Sequence, residues 1–392
     1  MNDPRPIAVI VGAGKIGRGF LGQLLHRAGY ALHFVDGAPI VVDRLNAERR
    51  YRVDIAGRDE HEYIPVAAAY RIDQPAAAAA AVAAAEVLVT AVGAANIAGA
   101  ARFLAPLIAA REPGRPLNWL ICENADQPAR LIRATLLDGD DGRIARLMRA
   151  DLGIVETQVL RTGMDADPAL AAREPLAVRM HDWWTLPCDG DAIRGPAPRI
   201  PGLQPKRDFA HELQRKIFTF NGLNGPIAYL GHANGYALMD QAATAAELQP
   251  ILAGVLDESG HGLVRAFAFD PAEHRAFQQL AWRKYRDPAL ADAIERNARD
   301  SARKLGARER LIGPAALCQA HGREPRAYAI AIAAALAYDG SGDAGTLRVR
   351  ATVRAAGPAA ALAEFAGLAP HHPLSLLAVD AFDRRAYRLP RA

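Results

Sequence analysis

The stretch that decides the fold is IAVIVGAGKIGRGFLGQLLHRA, residues 7–28. Its first five residues form a continuous apolar run that ends in glycine, which is typical of a parallel strand buried on both faces. A helical pattern follows over residues 16–28, and GxGxxG lies between the two. Such glycines allow a tight turn and close backbone approach, while the helix N-terminus offers N–H groups to a pyrophosphate. The loop therefore predicts a dinucleotide site formed by Gly12, Ala13, Gly14, Lys15, Ile16 and Gly17.

A carboxylate stands where the second strand of such a fold ends. Asp36 follows Gly12 by 24 residues. A carboxylate in this position accepts hydrogen bonds from the ribose hydroxyls and repels a 2′-phosphate. The sequence thus predicts NAD rather than NADP, although Arg44 could offset the repulsion and keeps NADP open. The competing interpretation of Asp36 is a helix N-cap. Val92 and Gly93, at the end of a further apolar run, are expected where the nicotinamide half passes.

Short apolar runs alternate with helical patterns through the first 160 residues, which predicts a parallel, doubly wound sheet. A hairpin is expected around Gly57-Arg58-Asp59, and from about residue 209 the pattern is helical almost to the end. The expected fold class is α/β plus all-α: a Rossmann-type domain over 1–200 and a mainly helical substrate domain over 201–392. The strands of the first domain are expected at 7–11, 31–35, 87–92 and 117–122, and its helices at 16–28, 39–48, 75–85 and 97–110.

Composition excludes several classes of protein. The 392 residues suit two domains, and 47 basic against 43 acidic residues, without a Lys/Arg block, argue against a nucleic-acid partner. The longest apolar stretch, residues 327–338, is too short to span a membrane. Cys122, Cys188 and Cys318 are widely spaced, so we expect neither a disulfide framework nor a metal site. These features predict a soluble cytoplasmic protein.

Six segments along the chain resemble the polyol-specific long-chain dehydrogenase/reductases, the mannitol dehydrogenase family. The resemblance covers almost the whole chain, and the length suits the short, phosphate-using branch. It implies a Rossmann domain, a helical C-terminal domain, a monomer, and metal-independent hydride transfer between a polyol and a ketose, such as mannitol 1-phosphate and fructose 6-phosphate. The segments are GAGKIGRGFLGQLL (12–25), VTAVG (89–93), CEN (122–124), RKIFTFNGLNGPIAYLG (215–231), DESG (257–260) and RKLGARERLIGPA (303–315).

The family's catalytic motif is a lysine, an asparagine five positions on, and a histidine three after that. This chain has Lys216 and Asn221, but Asn224 stands where the histidine is expected. Lysine serves as a base when burial or neighbouring positive charge lowers its pKa, whereas arginine does not deprotonate in proteins. Only five of the 47 basic residues are lysines, which makes this one informative. Asn221, and by resemblance Asn124, would donate amide N–H groups to the substrate oxygen. The Gly225-Pro226 pair makes an ideal helix through the motif doubtful.

Three further residues are candidates for substrate contact, and each has a solvated surface position as its competing interpretation. Arg303 and Lys304 fall in the segment that matches the family best, where they could hold an anionic group of the substrate. His232 is close enough in sequence to take over from the missing histidine.

Three functions follow from these residues. The first is an NAD-dependent dehydrogenase of a sugar-alcohol phosphate, with a small polyol or sugar phosphate as its substrate and no membrane or nucleic-acid partner. The second is a reductase of the same family that acts on a different polyol, hydroxy acid or keto acid, because Asn224 replaces the histidine. The third is a non-catalytic NAD-binding protein.

Overall fold

The computed structural model describes residues 5–125 and 127–390, and the chain divides after Phe209 into two compact units. All the strands of the described residues lie in the N-terminal unit. They are β1 (Ile7–Val11), β2 (Ala31–Asp36), β3 (Arg50–Ile55), β4 (His61–Pro65), β5 (Ala68–Arg71), β6 (Ala85–Thr90), β7 (Leu117–Ile121), β8 (Leu152–Glu156), β9 (Gly163–Asp165), β10 (Val178–Met180), β11 (Leu186–Asp189) and β12 (Leu203–Lys206).

The N-terminal unit is built on a six-stranded parallel sheet with the order β5-β2-β1-β6-β7-β8. This is the doubly wound Rossmann arrangement, in which the strand order reverses beside β1 and leaves a crevice at the carboxyl ends of the strands. The strands are apolar throughout because helices cover both faces; residues 8–11 of β1 are completely buried. The predicted fold class is confirmed for this unit.

A smaller sheet carries the predicted hairpin. β3 and β4 pair antiparallel, and β3 continues into a four-stranded sheet of order β4-β3-β10-β9. The other two strands of this sheet, β9 and β10, come from residues 163–165 and 178–180.

Helices complete both units, and two π-helical segments interrupt them, at Lys15–Gly22 and Ile217–Asn221. The α-helices are α1 (Gln23–Arg27), α2 (Pro39–Glu48), α3 (Pro75–Ala84), α4 (Ile97–Ala109), α5 (Pro128–Leu137), α6 (Arg143–Ala150), α7 (Pro168–Arg173), α8 (Phe209–Lys216), α9 (Gly222–Ala233), α10 (Met239–Thr244), α11 (Gln249–Phe267), α12 (Pro271–Tyr285), α13 (Ile294–Ala298), α14 (Ser301–Lys304), α15 (Ile312–Ala320), α16 (Arg326–Leu336), α17 (Ala344–Ala366) and α18 (Pro373–Asp383).

The C-terminal unit is helical, as predicted, and two buried helices form its centre. α16 is rich in alanine, and small side chains let it pack closely against both α9 and α18. α9 is buried from Gly222 to Gly231. Within the ranges described, no helix is both long enough and apolar enough to cross a membrane, and no cluster of side chains has a composition suited to a metal ion.

Two predicted elements differ from the structure. The strand expected to end at Val92 ends at Thr90, because the N–H groups of Val92 and Gly93 donate to a side chain instead of a neighbouring strand. The single helix expected over residues 16–28 begins as the π-helical segment and becomes α-helical only at Gln23. In both places a functional candidate lies on the irregular backbone.

Candidate active site

The glycine-rich loop is shaped by backbone contacts that leave no room for side chains. Gly12 has a φ of +100°, and a Cβ there would overlap the carbonyl oxygen of Ala91. A Cβ on Gly17 would overlap the carbonyl oxygen of Gly12, so the helix start packs directly on the turn. Gly14, by contrast, is exposed and has no atom within 4 Å of an added Cβ. The loop therefore presents open backbone on one side, as a bound pyrophosphate requires.

Asp36 lies against this loop at the end of β2. Its Oδ2 accepts a hydrogen bond from the Ala13 N–H at 2.6 Å, and its Oδ1 accepts one from the Ala38 N–H at 2.8 Å. Asp36 is not the helix N-cap, because α2 begins after Ala38. Arg44, the residue that kept NADP open, lies on α2 and pairs with Glu48 at 3.7 Å.

The remaining predicted loop residues, Lys15 and Ile16, contact other parts of the N-terminal unit. Lys15 forms an exposed ion pair with Asp165 at 2.8 Å, and the partly buried Ile16 packs against the core of the unit. Arg18, in the next turn, donates to the carbonyl oxygens of Ala13 and Leu176. The loop is thus tied to several neighbouring segments.

The loop after β6 is held by Glu123, a residue that the sequence analysis did not single out. Its Oε1 accepts the Val92 N–H at 2.7 Å and its Oε2 accepts the Gly93 N–H at 2.9 Å. Burial raises the pKa of the Glu123 carboxyl, and the two backbone bonds act against that rise. Asn124, the next residue, is exposed. Three candidate parts of the cofactor site thus lie at the carboxyl edge of the sheet: the glycine loop, Asp36 and the Val92–Gly93 pair.

The lysine motif of the C-terminal unit lies on a nearly continuous helix. α8 ends at Lys216, the π-helical segment runs to Asn221, and α9 continues through Pro226 without a break. The doubt raised by Gly225-Pro226 is resolved by two buried tyrosines. Tyr328 donates its hydroxyl to the Gly222 carbonyl at 3.2 Å, which Pro226 has no N–H to satisfy, and Tyr285 donates to the Phe220 carbonyl at 3.0 Å.

Lys216 is half-buried, and its ammonium group has no hydrogen-bond partner among the described residues. Burial and the positive charges of Lys284 and Arg310 lower the pKa of Lys216 to about 8, while Glu309 acts in the opposite direction. Burial also lowers the pKa of Lys284 to about 8. Two lysines with low pKa values thus lie close enough to influence each other.

Lys284 and Arg310 were missed as site residues. Lys284 lies at the end of α12, with its ammonium 6.0 Å from the centre of the Phe220 ring. Arg310 is 13% exposed, and its stem passes Gly225, where an added Cβ would lie 3.4 Å from Arg310 Cδ. Its Nε donates to Glu309 at 3.3 Å. The scarcity of lysine was the one sequence signal that could have pointed to Lys284.

Asn224 is buried and belongs to an amide network. Its Nδ2 donates to Asn297 Oδ1 at 2.9 Å, and Asn297 in turn donates to Asp292 Oδ1 at 2.7 Å. A hydrogen bond to Asn224 also lowers the pKa of Tyr285, although burial, the larger effect, raises it. Asn221 is half-buried and lies at the end of the π-helical segment.

His232 does not lie beside Asn224. Eight residues along α9 correspond to about 12 Å at 1.5 Å per residue, and the His232 ring contacts Tyr338 and lies 2.9 Å from Asp339. The structure therefore gives His232 a different environment from that of the lysine motif.

The two cationic candidates from the family segment are engaged by other groups. Arg303 pairs with Asp300 at 2.7 Å and with Glu309 at 2.9 Å. Lys304 is buried, with its ammonium donating to the backbone carbonyls of Asn297, at 2.5 Å, and Arg299. Burial, reinforced by Arg310 and Arg303, lowers the pKa of Lys304 to about 7. Lys304 therefore holds the backbone of Asn297, whose side chain is the partner of Asn224.

Two family models match consecutive parts of the chain. The mannitol dehydrogenase Rossmann domain matches residues 6–202, and the mannitol dehydrogenase C-terminal domain matches residues 210–360. Among curated proteins, the mannitol-1-phosphate 5-dehydrogenase of Brevibacillus brevis is 34% identical over 94% of this chain and 95% of its own length. The enzyme of the same name from Bacillus subtilis is 30% identical over 94% and 97%.

Solved structures share the fold at low sequence identity. A D-sorbitol dehydrogenase in substrate-free form superposes with a TM-score of 0.79 at 15% identity, over 97% of this chain and 93% of that one. Mannitol 2-dehydrogenase of Pseudomonas fluorescens, in a complex with NAD and D-mannitol, gives 0.71 at 14% identity, over 98% and 92%. On the family models and the curated relatives, the chain belongs to the mannitol dehydrogenase family of oxidoreductases.

Proposed function

We propose that the chain interconverts a sugar-alcohol phosphate and a ketose phosphate, in the simplest case mannitol 1-phosphate and fructose 6-phosphate, with NAD as cofactor and Lys216 as general base. The observation that carries this proposal is the lysine, whose pKa is lowered to about 8. A surface lysine, with a pKa of about 10.4, is almost fully protonated at neutral pH and cannot accept a proton. Lys216 is neutral in a useful fraction of molecules near pH 8.

The cofactor part rests on the glycine loop and Asp36. Open backbone at Gly14 suits a pyrophosphate, and the Asp36 carboxylate suits ribose hydroxyls at the adjacent strand end. The same carboxylate would repel the 2′-phosphate of NADP, and Arg44 is already paired with Glu48. The proposed cofactor domain spans residues 1–200 and the proposed substrate domain residues 201–392.

Oxidation of the secondary alcohol breaks one O–H bond and one C–H bond. Lys216 Nζ takes the hydroxyl proton, while the hydrogen on carbon leaves with its electron pair and the C–O bond becomes a carbonyl. The glycine loop and Asp36 would hold NAD, which would supply the acceptor for that hydride and, as NADH, its donor in the reverse direction. The Asn221 amide stabilises the negative charge that develops on the oxygen. In reduction, the protonated Lys216 returns its proton to the oxygen.

An anionic group on the substrate is best matched by Arg310. Arg303 and Lys304, the candidates from the sequence, direct their donors to carboxylates and backbone carbonyls. The Arg310 side chain donates through Nε to Glu309, a carboxylate that Arg303 also contacts. The two terminal nitrogens of Arg310 form no hydrogen bond to the described residues. A guanidinium presents two parallel donors to phosphate.

The decisive test follows NADH at 340 nm with fructose 6-phosphate. Turnover should be strong with NADH, weaker with NADPH, and weaker still with unphosphorylated fructose. Lys216→Ala should abolish turnover, and Lys206→Ala, a lysine outside the motif, should leave it unchanged. No turnover at high enzyme concentration, with NADH still bound, would favour the non-catalytic binding protein.

A second candidate function is reduction of a different polyol, hydroxy acid or keto acid. It is favoured by Asn224, because this residue is bound to Asn297 and cannot carry a proton as a histidine does. A substrate panel decides between the two: a clear optimum at fructose 6-phosphate excludes the alternative. Cytoplasmic localisation and a monomeric state complete the proposal, and fractionation and gel filtration test them.

A further inference from the structure

We propose that Glu123 is a positioning residue, which fixes the backbone of Val92 and Gly93 where the nicotinamide half of the dinucleotide lies. The inference rests on the proposed NAD dependence and adds a residue to it. It is carried by the contacts at the carboxyl edge of the parallel sheet.

The position of the loop follows from strand order. β1 has β2 on one side and β6 on the other, and the glycine loop follows β1. A dinucleotide with its pyrophosphate on that loop and its adenosine half near Asp36, after β2, must extend its other half toward the end of β6. Gly12 confirms that the loops touch, since a Cβ on it would overlap Ala91 and lie 3.1 Å from Val92.

The conformation of this loop is not fixed by the sheet. β6 ends at Thr90, and Gly93 has a φ of +83°. Instead, the two consecutive N–H groups of Val92 and Gly93 donate to the two oxygens of one carboxylate, at 2.7 and 2.9 Å. Both bonds are charge-assisted, and they hold the N–H side of the two peptides, while Asn96 donates to the carbonyl oxygens of Val92 and Gly93, at 2.9 Å each.

Glu123 follows β7 by two positions and immediately precedes Asn124, the proposed amide donor. The carboxylate therefore ties the loop that receives the hydride carrier to the turn that bears Asn124. Hydride transfer is sensitive to displacements of about 1 Å, which can cost about 100-fold in rate. A tie of this kind affects the rate and the affinity for the nicotinamide half, and leaves the adenosine half unaffected.

The test is Glu123→Gln, which preserves size. The two N–H groups donate to different oxygens of Glu123, so in this geometry the amide oxygen of glutamine keeps one bond and its NH₂ group faces the other donor. We expect the Kd of NADH, followed by its fluorescence, to rise about tenfold, as the loss of one such bond predicts. The Kd of ADP-ribose, which lacks nicotinamide, should stay within about twofold, and kcat should fall about tenfold.

Glu86→Gln is the matched control, because Glu86 is an exposed carboxylate on the neighbouring strand β6. It should change neither affinity. Equal weakening of NADH and ADP-ribose binding in Glu123→Gln, together with a lower Tm, would mean a purely structural role and overturn the proposal. Unchanged NADH binding would overturn it as well. Binding is measured without substrate. The test of Glu123 therefore remains valid even if the proposed substrate or the proposed general base is wrong.

Discussion

The glycine loop of the N-terminal unit and the lysine motif of the C-terminal unit are each followed by the same kind of irregular helix. A π-helical segment follows Gly14 of the glycine loop, at Lys15–Gly22, and another follows Lys216, at Ile217–Asn221. A π-helical turn disrupts the regular ladder of backbone bonds, and such turns occur frequently at functional sites. In both places buried tyrosines supply hydroxyl donors to backbone carbonyls: Tyr51 to Arg18 at 2.8 Å, and Tyr285 and Tyr328 to Phe220 and Gly222.

The two segments differ in what packs around them. The first is rich in glycine, and its Gly17, Gly19 and Gly22 leave no room for side chains where they contact neighbouring residues. The second contains no glycine and follows directly on Lys216, with Phe218 and Phe220 buried. The first segment therefore packs closely through its backbone, whereas the second packs through aromatic side chains. This difference separates the effects expected from substitutions.

The largest effect is expected at Lys216, the residue directly before the second segment. Lys216→Met removes the proposed base and should lower kcat/KM for oxidation by about 10²–10⁴. Stability should be unchanged or higher, because a methionine needs no desolvation of a charge. Steady-state kinetics and thermal unfolding check this, with Lys206→Met as control. A kcat within tenfold of the parent would contradict the assignment of the base.

The second largest effect is expected from Gly17→Ala in the first segment, which packs through its backbone. The new methyl group would overlap the Gly12 carbonyl, which is backbone and cannot move aside. We expect NADH affinity to fall by more than about tenfold and the free energy of unfolding by about 1–3 kcal/mol. Calorimetric titration and urea unfolding measure the two quantities. Gly99→Ala, on helix α4, where an added Cβ meets nothing within 4 Å, should leave NADH affinity unchanged and should not lower the free energy of unfolding.

A smaller effect, common to both segments, is expected from Tyr→Phe. Tyr51→Phe and Tyr328→Phe each remove a hydroxyl donor from a buried carbonyl group, at a cost of about 1–3 kcal/mol of folding free energy. Only Tyr51→Phe should also weaken NADH binding. If Tyr328→Phe lowered NADH affinity equally, the division into two separate sites would be wrong.

The smallest effect is a shift in the pH profile. The Arg310 charge lowers the pKa of Lys216, so Arg310→Gln should raise it. In the proposed mechanism oxidation needs the neutral lysine, so kcat/KM rises with pH through about 8 in the parent and through a value up to about one unit higher in the variant, apart from the loss of kcat/KM at every pH that weaker binding of the anionic group causes. Arg308→Gln, an exposed arginine of the same segment, should not move this limb. If kcat/KM of Arg310→Gln rose at the same pH as in the parent, Arg310 would not influence the pKa of the base.

Much of the fold could be predicted because its signals are local. The apolar run before Gly12 and the hairpin around residues 57–59 depend on neighbours in sequence, and the structure confirms both. The π-helical segments were missed, since a helical pattern contains no sign that the tyrosines bonded to them lie 33 and more than 60 residues away. Strand β6 was extended too far because the Glu123 carboxylate, 30 residues on, takes the last donors.

The candidate site could be predicted only where a motif marks it. Lys216, Asn221 and Asn224 were found by resemblance to the family's catalytic motif and remain predictions as to role. Lys284 reaches this neighbourhood from α12, and no spacing rule connects it to Lys216. Arg303 and Lys304 are charged residues in a family-like segment, but sequence alone does not reveal that carboxylates and backbone carbonyls already engage them.

The tyrosine hydroxyls also bear on how this sequence can change over generations. Tyrosine and phenylalanine codons differ by one base, and in most buried positions the exchange is tolerated because the ring volume is nearly the same. At positions 51, 285 and 328, replacing tyrosine with phenylalanine removes the hydroxyl that donates to a backbone carbonyl. Substitution there should follow hydrogen-bonding capacity rather than size, so these three rings should drift more slowly than the equally buried phenylalanines around them.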